Sequence, residues 1–99
     1  MITCEPSAEG KARITFTLPC PGPSASVAVL GDFNGWDPTA TPMRKTGDVQ
    51  TASVVLEGGR RYFFRYLDEA GRWFNDETAD DYVSNDYGQS NCVIDLVRR

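Results

Sequence analysis

From Arg13 the chain alternates: Ile14, Phe16 and Leu18 fall on one face, and Arg13, Thr15 and Thr17 on the other. A period of two with one apolar side predicts a half-buried strand. Residues 25–30 are small or aliphatic on both faces, which predicts a central strand. Residues 49–56 predict another, with Ala52, Val54 and Leu56 inward, and residues 61–67 a further one in which Tyr62, Phe64 and Tyr66 share a face. Shorter strands are expected at residues 43–45 and 72–74. The last segment, residues 92–97, sets Cys92, Ile94 and Leu96 against Val93, Asp95 and Val97. Turn formers separate these runs: Pro19-Cys20-Pro21-Gly22-Pro23, Asn34-Gly35, Thr46-Gly47-Asp48, Glu57-Gly58-Gly59 and Asp68-Glu69-Ala70-Gly71. Residues 1–10 are expected to be a flexible tail or an edge strand, and residues 11–99 the folded unit. No segment carries a 3.6-residue apolar period, and turns recur every ~8–12 residues. The expectation is all-β: a single antiparallel β-sandwich of about seven short strands.

Composition narrows the function. The 99 residues allow one domain with a modest core, and 40 % hydrophobic content fits a folded chain. A net charge of −4, with basic pairs only at Arg60-Arg61 and Arg98-Arg99, gives no nucleic-acid footprint. No apolar run approaches the ~20 residues that span a bilayer, so no membrane is expected. The first ten residues lack a basic start and an apolar stretch, so no secretion signal is expected. Three cysteines, Cys4, Cys20 and Cys92, cannot all pair within one chain. They read as reduced thiols in a cytoplasm, with a Cys4–Cys20 bridge as the disfavoured alternative.

Catalytic chemistry is missing. There is no histidine, and no nucleophile elbow, phosphate loop or Cys-x-x-Cys pair. The acidic cluster Asp76-Glu77 with Asp80-Asp81 lacks the alternating ligands and central glycine of a calcium loop. A glycosidase would need two carboxylates across a cleft. The cluster is therefore expected to be a solvated loop whose aspartates cap turns, with no metal, no cofactor and no enzyme activity.

The densest specification lies at residues 31–38, Gly-Asp-Phe-Asn-Gly-Trp-Asp-Pro. Asn-Gly favours a tight turn, and the Asp and Asn oxygens bond nearby backbone N–H groups, so this turn is expected to be rigid. Of its two aromatics, one can anchor the core while the other faces water, and Trp36 is the candidate for display. Aromatics are also in surplus elsewhere. Tyr62, Phe64 and Tyr66 fill the core with Phe16 and Phe33, which leaves Trp36, Phe63, Trp73 and Tyr87 in or beside turns or on the opposite strand face. Indoles beside amides and an arginine suit sugars, whose C–H faces stack on rings while their hydroxyls take hydrogen bonds. Each platform contributes ~1–2 kcal/mol, which implies a dissociation constant of roughly micromolar to millimolar.

Gly31-to-Pro38 above, Tyr62-Phe63-Phe64-Arg65-Tyr66-Leu67, Gly71-Arg72-Trp73-Phe74-Asn75-Asp76 and Tyr87-Gly88-Gln89-Ser90-Asn91, in this order and spacing, resemble the glycogen-binding, isoamylase-type early-set domains. This is the family 48 carbohydrate-binding module, found in branching and debranching enzymes and in the β subunit of AMP-activated kinase. The resemblance covers residues 14–97 and implies an immunoglobulin-like early-set fold and a non-catalytic site for α-glucan: glycogen, starch or maltodextrin. It implies Trp36 and Trp73 as stacking platforms, Asn91 as a hydroxyl partner, Tyr87 against a sugar ring and Gln89 at a polar position. Where kinase-type members carry a lysine after the tyrosine matching Tyr62, this chain has Phe63, a further apolar surface. Arg65, on the same strand face, supplies the donor. The alternative is a regulatory early-set domain that docks on a glycogen-metabolising enzyme or kinase-type partner without binding sugar. The test between them is whether the tryptophan pair lies coplanar and open to water.

Overall fold

The computed structural model describes residues 1–19 and 26–97. Cys20, Ala25, the Arg98-Arg99 pair and most of the proline-rich connection lie outside the described residues. Nine strands are present among the described residues: β1 (Ile2–Pro6), β2 (Lys11–Pro19), β3 (Val27–Gly31), β4 (Arg44–Thr46), β5 (Val49–Glu57), β6 (Arg61–Asp68), β7 (Trp73–Phe74), β8 (Asp81–Ser84) and β9 (Ser90–Asp95). They form two antiparallel sheets, ordered β1-β2-β5-β4 and β3-β6-β9-β8, with β7 also pairing β6. This is the sandwich the alternation predicts.

Register explains the core. Ile14 lies opposite Val54 and Phe16 opposite Ala52, so the apolar faces of β2 and β5 coincide. From the other sheet, β6 sends Tyr62, Phe64 and Tyr66 inward, and all three are buried. Phe16 meets Phe64 edge-on at 5.0 Å and Tyr66 at 6.3 Å between ring centroids. Phe33 packs on Phe16 at 6.2 Å, so of the two aromatics in the Gly31–Pro38 turn it is the one that joins the core. Gly31 must be glycine: a Cβ there would sit 2.6 Å from the Phe63 carbonyl oxygen and 2.9 Å from the Phe64 Cβ. That missing side chain lets the end of β3 press against β6.

Of the two expectations for the stretch before residue 11, the structure has the edge strand, β1, pairing β2 from Ile2 opposite Phe16 to Pro6 opposite Ala12. Three details differ from the pattern-based expectation. β8 was not expected at all. Its only apolar pair, Tyr82-Val83, lies between polar neighbours, and it forms by pairing β9. Gln50 extends the inner face of β5 at 2 % exposure, its Oε1 without a partner among the described residues. On β9 Val93 is buried as well as Cys92 and Ile94, with Leu96 just beyond the strand, because Phe63 and Asp81 flank Val93 in the ladder.

The acidic loop needs a correction. Asp76 is no solvated cap but lies 3 % exposed under the sandwich edge. It accepts hydrogen bonds from the Tyr66 hydroxyl at 2.6 Å, the Thr78 hydroxyl and backbone N–H at 2.7 Å, and the Met1 amino group at 3.0 Å. Burial pushes its carboxyl up, but these donors together outweigh burial and hold it below the usual carboxylate range. Burial, reinforced by Asp76, pushes the Tyr66 hydroxyl far up, so it remains a donor. Asp80 and Asp81 accept hydrogen bonds from distant strands, from the Asp95 N–H and the Arg61 guanidinium. Cys4 and Cys92 are free thiols, and burial pushes Cys92 up to about 11, which makes it a poor nucleophile. Among the described residues no helix is long and apolar enough to cross a membrane.

Candidate functional site

The site is built from three segments set on the outer face of the five-stranded sheet. The first is the turn after β3. Asn34 knots it: its Oδ1 accepts from the Gly31 and Trp36 N–H groups at 3.0 and 3.2 Å, and its Nδ2 donates to the Val29 carbonyl and the Thr41 hydroxyl, both at 2.9 Å. Asp37 closes the next turn on Thr39, whose backbone N–H and hydroxyl hold its carboxyl below the ordinary value. Gly35 and Trp36 are both left-handed, at φ 68° and 58°. Glycine adopts that region freely, whereas for a bulky side chain it is a strained outlier. With this backbone the Trp36 indole lies outside the core cluster, half-buried. Asp32 then clamps it, accepting from the indole Nε1 at 3.2 Å through one oxygen and from the Phe63 backbone N–H at 2.9 Å through the other.

The second segment is the β6–β7 hairpin. Asp68 organises its tip by accepting from the Ala70 N–H and from the N–H and Nε of Arg72, each at 2.9 Å. The Arg72 N–H foremost, with the other donors, outweighs partial burial and holds the Asp68 carboxyl low. Leu67 then pairs Trp73, which puts the second indole 43 % exposed beside the outer face of β6. That face carries Phe63 and Arg65. Arg65 is only 8 % exposed, with its guanidinium 5.8 Å from the Trp73 ring centroid. It donates to Asn75 Oδ1 at 2.7 Å and to Gln89 Oε1, and has no ion pair among the described residues.

The third segment is the β8–β9 turn. Asn85 Oδ1 accepts from the Tyr87 and Gln89 N–H groups at 3.0 and 3.1 Å, and its Nδ2 donates to Asn91 Oδ1 at 3.2 Å. Tyr87 projects from the turn at 89 % exposure.

All seven residues singled out in the sequence (Trp36, Phe63, Arg65, Trp73, Tyr87, Gln89 and Asn91) line one depression of about 750 Å³. Neither tryptophan belongs to the core cluster. Asp32, Asn85 and Asp86 line the depression too and were not foreseen as site residues. Asp32 was legible only as a turn former, and for Asn85 the available signal is an Asn two residues before a Tyr-Gly turn. A second depression of similar volume lies at the far end of the sandwich, among Ile2, Cys4, Pro6, Ala12 and Leu96. Among the described residues it is lined by one charged group, Lys11, and by no aromatic ring to stack on.

Among the described residues no three potential ligand side chains of the His, Cys, Asp or Glu types converge on a metal position. The arrangement is that of a binding surface: flat apolar rings beside fixed polar groups.

Comparison with known proteins gives two findings. The family model for carbohydrate-binding module 48 (isoamylase N-terminal domain) matches residues 4–88. A 1,4-alpha-glucan branching enzyme from Rhodopirellula baltica is 33 % identical over 70 residues, which is 68 % of this chain and 9 % of that enzyme. The chain thus spans less than a tenth of that relative's length.

Proposed function

The chain belongs to the carbohydrate-binding module 48 family, whose members are non-catalytic binding modules, and from that premise we propose that its ligand is an α-glucan stacked on Trp36 and Trp73. Arg65, Gln89 and Asn91 hydrogen-bond the sugar hydroxyls, Tyr87 wedges against a ring, and Phe63 adds apolar contact between the platforms. The observation that carries this reading is the convergence of three distant segments, each bringing aromatic or amide groups, on one depression. The similarity to a protein named for 1,4-alpha-glucan branching supports the ligand class. Two platforms of ~1–2 kcal/mol each leave a weak single site, so a polymer with many repeats is the favoured form of ligand.

Titration calorimetry with β-cyclodextrin and then glycogen, on the wild type and on Trp36→Ala and Trp73→Ala, tests this. Saturable binding in the micromolar to millimolar range that either substitution abolishes in a folded protein supports the reading. No heat with ligand at ~10 mM, where even a millimolar site is largely filled, ends it and turns attention to a protein partner.

A further inference from the structure

We propose that Asn85 is a positioning residue that fixes the hydrogen-bonding polarity of the depression, so that its amide and guanidinium groups meet the ligand as donors only. The inference rests on the glucan reading above and concerns which atoms of the site face the sugar.

The argument starts from groups whose role is not adjustable. A backbone N–H can only donate, and two of them, from Tyr87 and Gln89, converge on one atom of the Asn85 side chain at 3.0 and 3.1 Å. That atom must be the oxygen. The other end of Asn85 is therefore the NH2 group, and it lies 3.2 Å from the Asn91 side chain. Asn91 must answer with its own oxygen, which leaves its NH2 group without a partner among the described residues. A guanidinium likewise only donates. Arg65 thus fixes Oε1 of Gln89 and Oδ1 of Asn75 toward itself, and the Asn75 NH2 group is used on the Ser90 carbonyl at 2.9 Å. The Gln89 NH2 group remains. Arg65 has five N–H groups and bonds protein partners through its Nε and one terminal nitrogen, so further donors remain there too. Each of these three side chains lines the depression.

Apart from this cluster, the acceptors in the depression are two carboxylates, the exposed Asp86 and Asp32. Asp32 holds the Trp36 indole and the Phe63 N–H with its two oxygens. A sugar hydroxyl can accept or donate, and against the Asn91 and Gln89 NH2 groups and the Arg65 guanidinium it must accept. The polarity is thus written by Asn85, a residue that acts through Asn91 and through the turn that carries Gln89.

Asn85→Asp separates this role from plain support of the turn. The substituted side chain keeps an oxygen for the Tyr87 and Gln89 N–H groups and puts a second oxygen where the NH2 group was. Asn91 then swings its NH2 group inward and offers an oxygen to the ligand. The expected result is an unchanged circular dichroism spectrum and melting midpoint, with β-cyclodextrin affinity about tenfold lower. The Asn91 side-chain amide resonances, which shift when the wild type is saturated, should no longer respond. Asn91→Asp presents the same inverted atom while keeping the bond from Asn85, and should lose a similar factor; it decides the matter alone if Asn85→Asp does not fold. Wild-type affinity in the folded variants, or silent Asn91 resonances in the saturated wild type, would overturn the proposal while leaving the glucan site standing. A wild type that binds no glucan removes both.

Discussion

β6 serves two surfaces through alternate residues. Tyr62, Phe64 and Tyr66 are buried among Phe16, Phe33 and Phe74, where shape and volume decide their contribution. Phe63 and Arg65, one step out of phase, lie in the depression with Trp36 and Trp73. Both sets are aromatic-rich, so composition does not separate them; the polar company does. The inner face contains one hydroxyl pairing to a buried carboxylate, Tyr66 to Asp76, while the outer face carries a guanidinium tied to two amides. Inner residues are therefore expected to govern stability and outer ones affinity, and substitutions along or against this strand test how cleanly the two roles divide.

Phe64→Ala should have the largest effect. It empties a fully buried ring site and should lower unfolding free energy by about 3–5 kcal/mol in denaturant titrations, enough to threaten the fold of a chain this size. Gly31→Ala comes next, at about 1–3 kcal/mol, because the new methyl would press on the core-side Phe33 ring and Phe64 Cβ and on the backbone carbonyl of Phe63, whose side chain lines the depression. It is the substitution that couples the two surfaces, so affinity and stability should fall together.

Asp76→Asn tests the polar tie of the inner face through pH. The folded-state pKa of Asp76 lies below the unfolded value of about 3.9, so the carboxylate's contribution is complete above that value. It is lost as pH falls through the lower, folded-state value. Wild-type stability should therefore drop on acidification below about pH 4, and the variant's profile should be flatter there, at a cost of about 1.5–3 kcal/mol at pH 7. A variant with an undiminished acid dependence would show that other carboxylates carry it.

On the outer face, Arg65→Met should change stability by only about 1 kcal/mol while lowering glucan affinity about tenfold. Equal losses in both would erase the division between the faces. The smallest expected difference is the most specific one. Trp36→Gly and Trp36→Ala should both abolish binding, but the glycine variant should be more stable by about 0.5–1 kcal/mol, since it alone relieves the left-handed backbone at φ 58°. Equal midpoints in thermal melts would refute stored strain at that residue.

Much of this was legible in the chain itself. Strict alternation marked the inner faces of β2, β5 and β6, and Asn34-Gly35 marked a rigid turn because the chemistry involved is local. Of the ten residues that line the depression, Trp36, Phe63, Trp73 and Tyr87 were legible as spare aromatics, and Arg65, Gln89 and Asn91 through the resemblance of four ordered motifs. What escaped depends on partners far along the chain. Asp76 looked like one more solvated acid, since only its Thr78 donors are local and the Tyr66 and Met1 donors sit 10 and 75 residues away. β8 has two apolar residues and exists through β9. Asn85 was not singled out, because its bond to Asn91 requires the two to be brought side by side. The left-handed backbone of Trp36 was also hidden, since local preference argues against it and the surrounding bonds impose it.

One consequence of the layout is optical. The chain has two tryptophans, both lining the depression and neither in the core. Its near-ultraviolet emission therefore reports on one small area of the surface, in an environment already partly aqueous. Loss of the core should alter that emission little, whereas a solute lying across the indoles should alter it a great deal. The protein is in effect labelled at its binding face by its own residues, and its unfolding is better followed by the buried tyrosines or by the backbone.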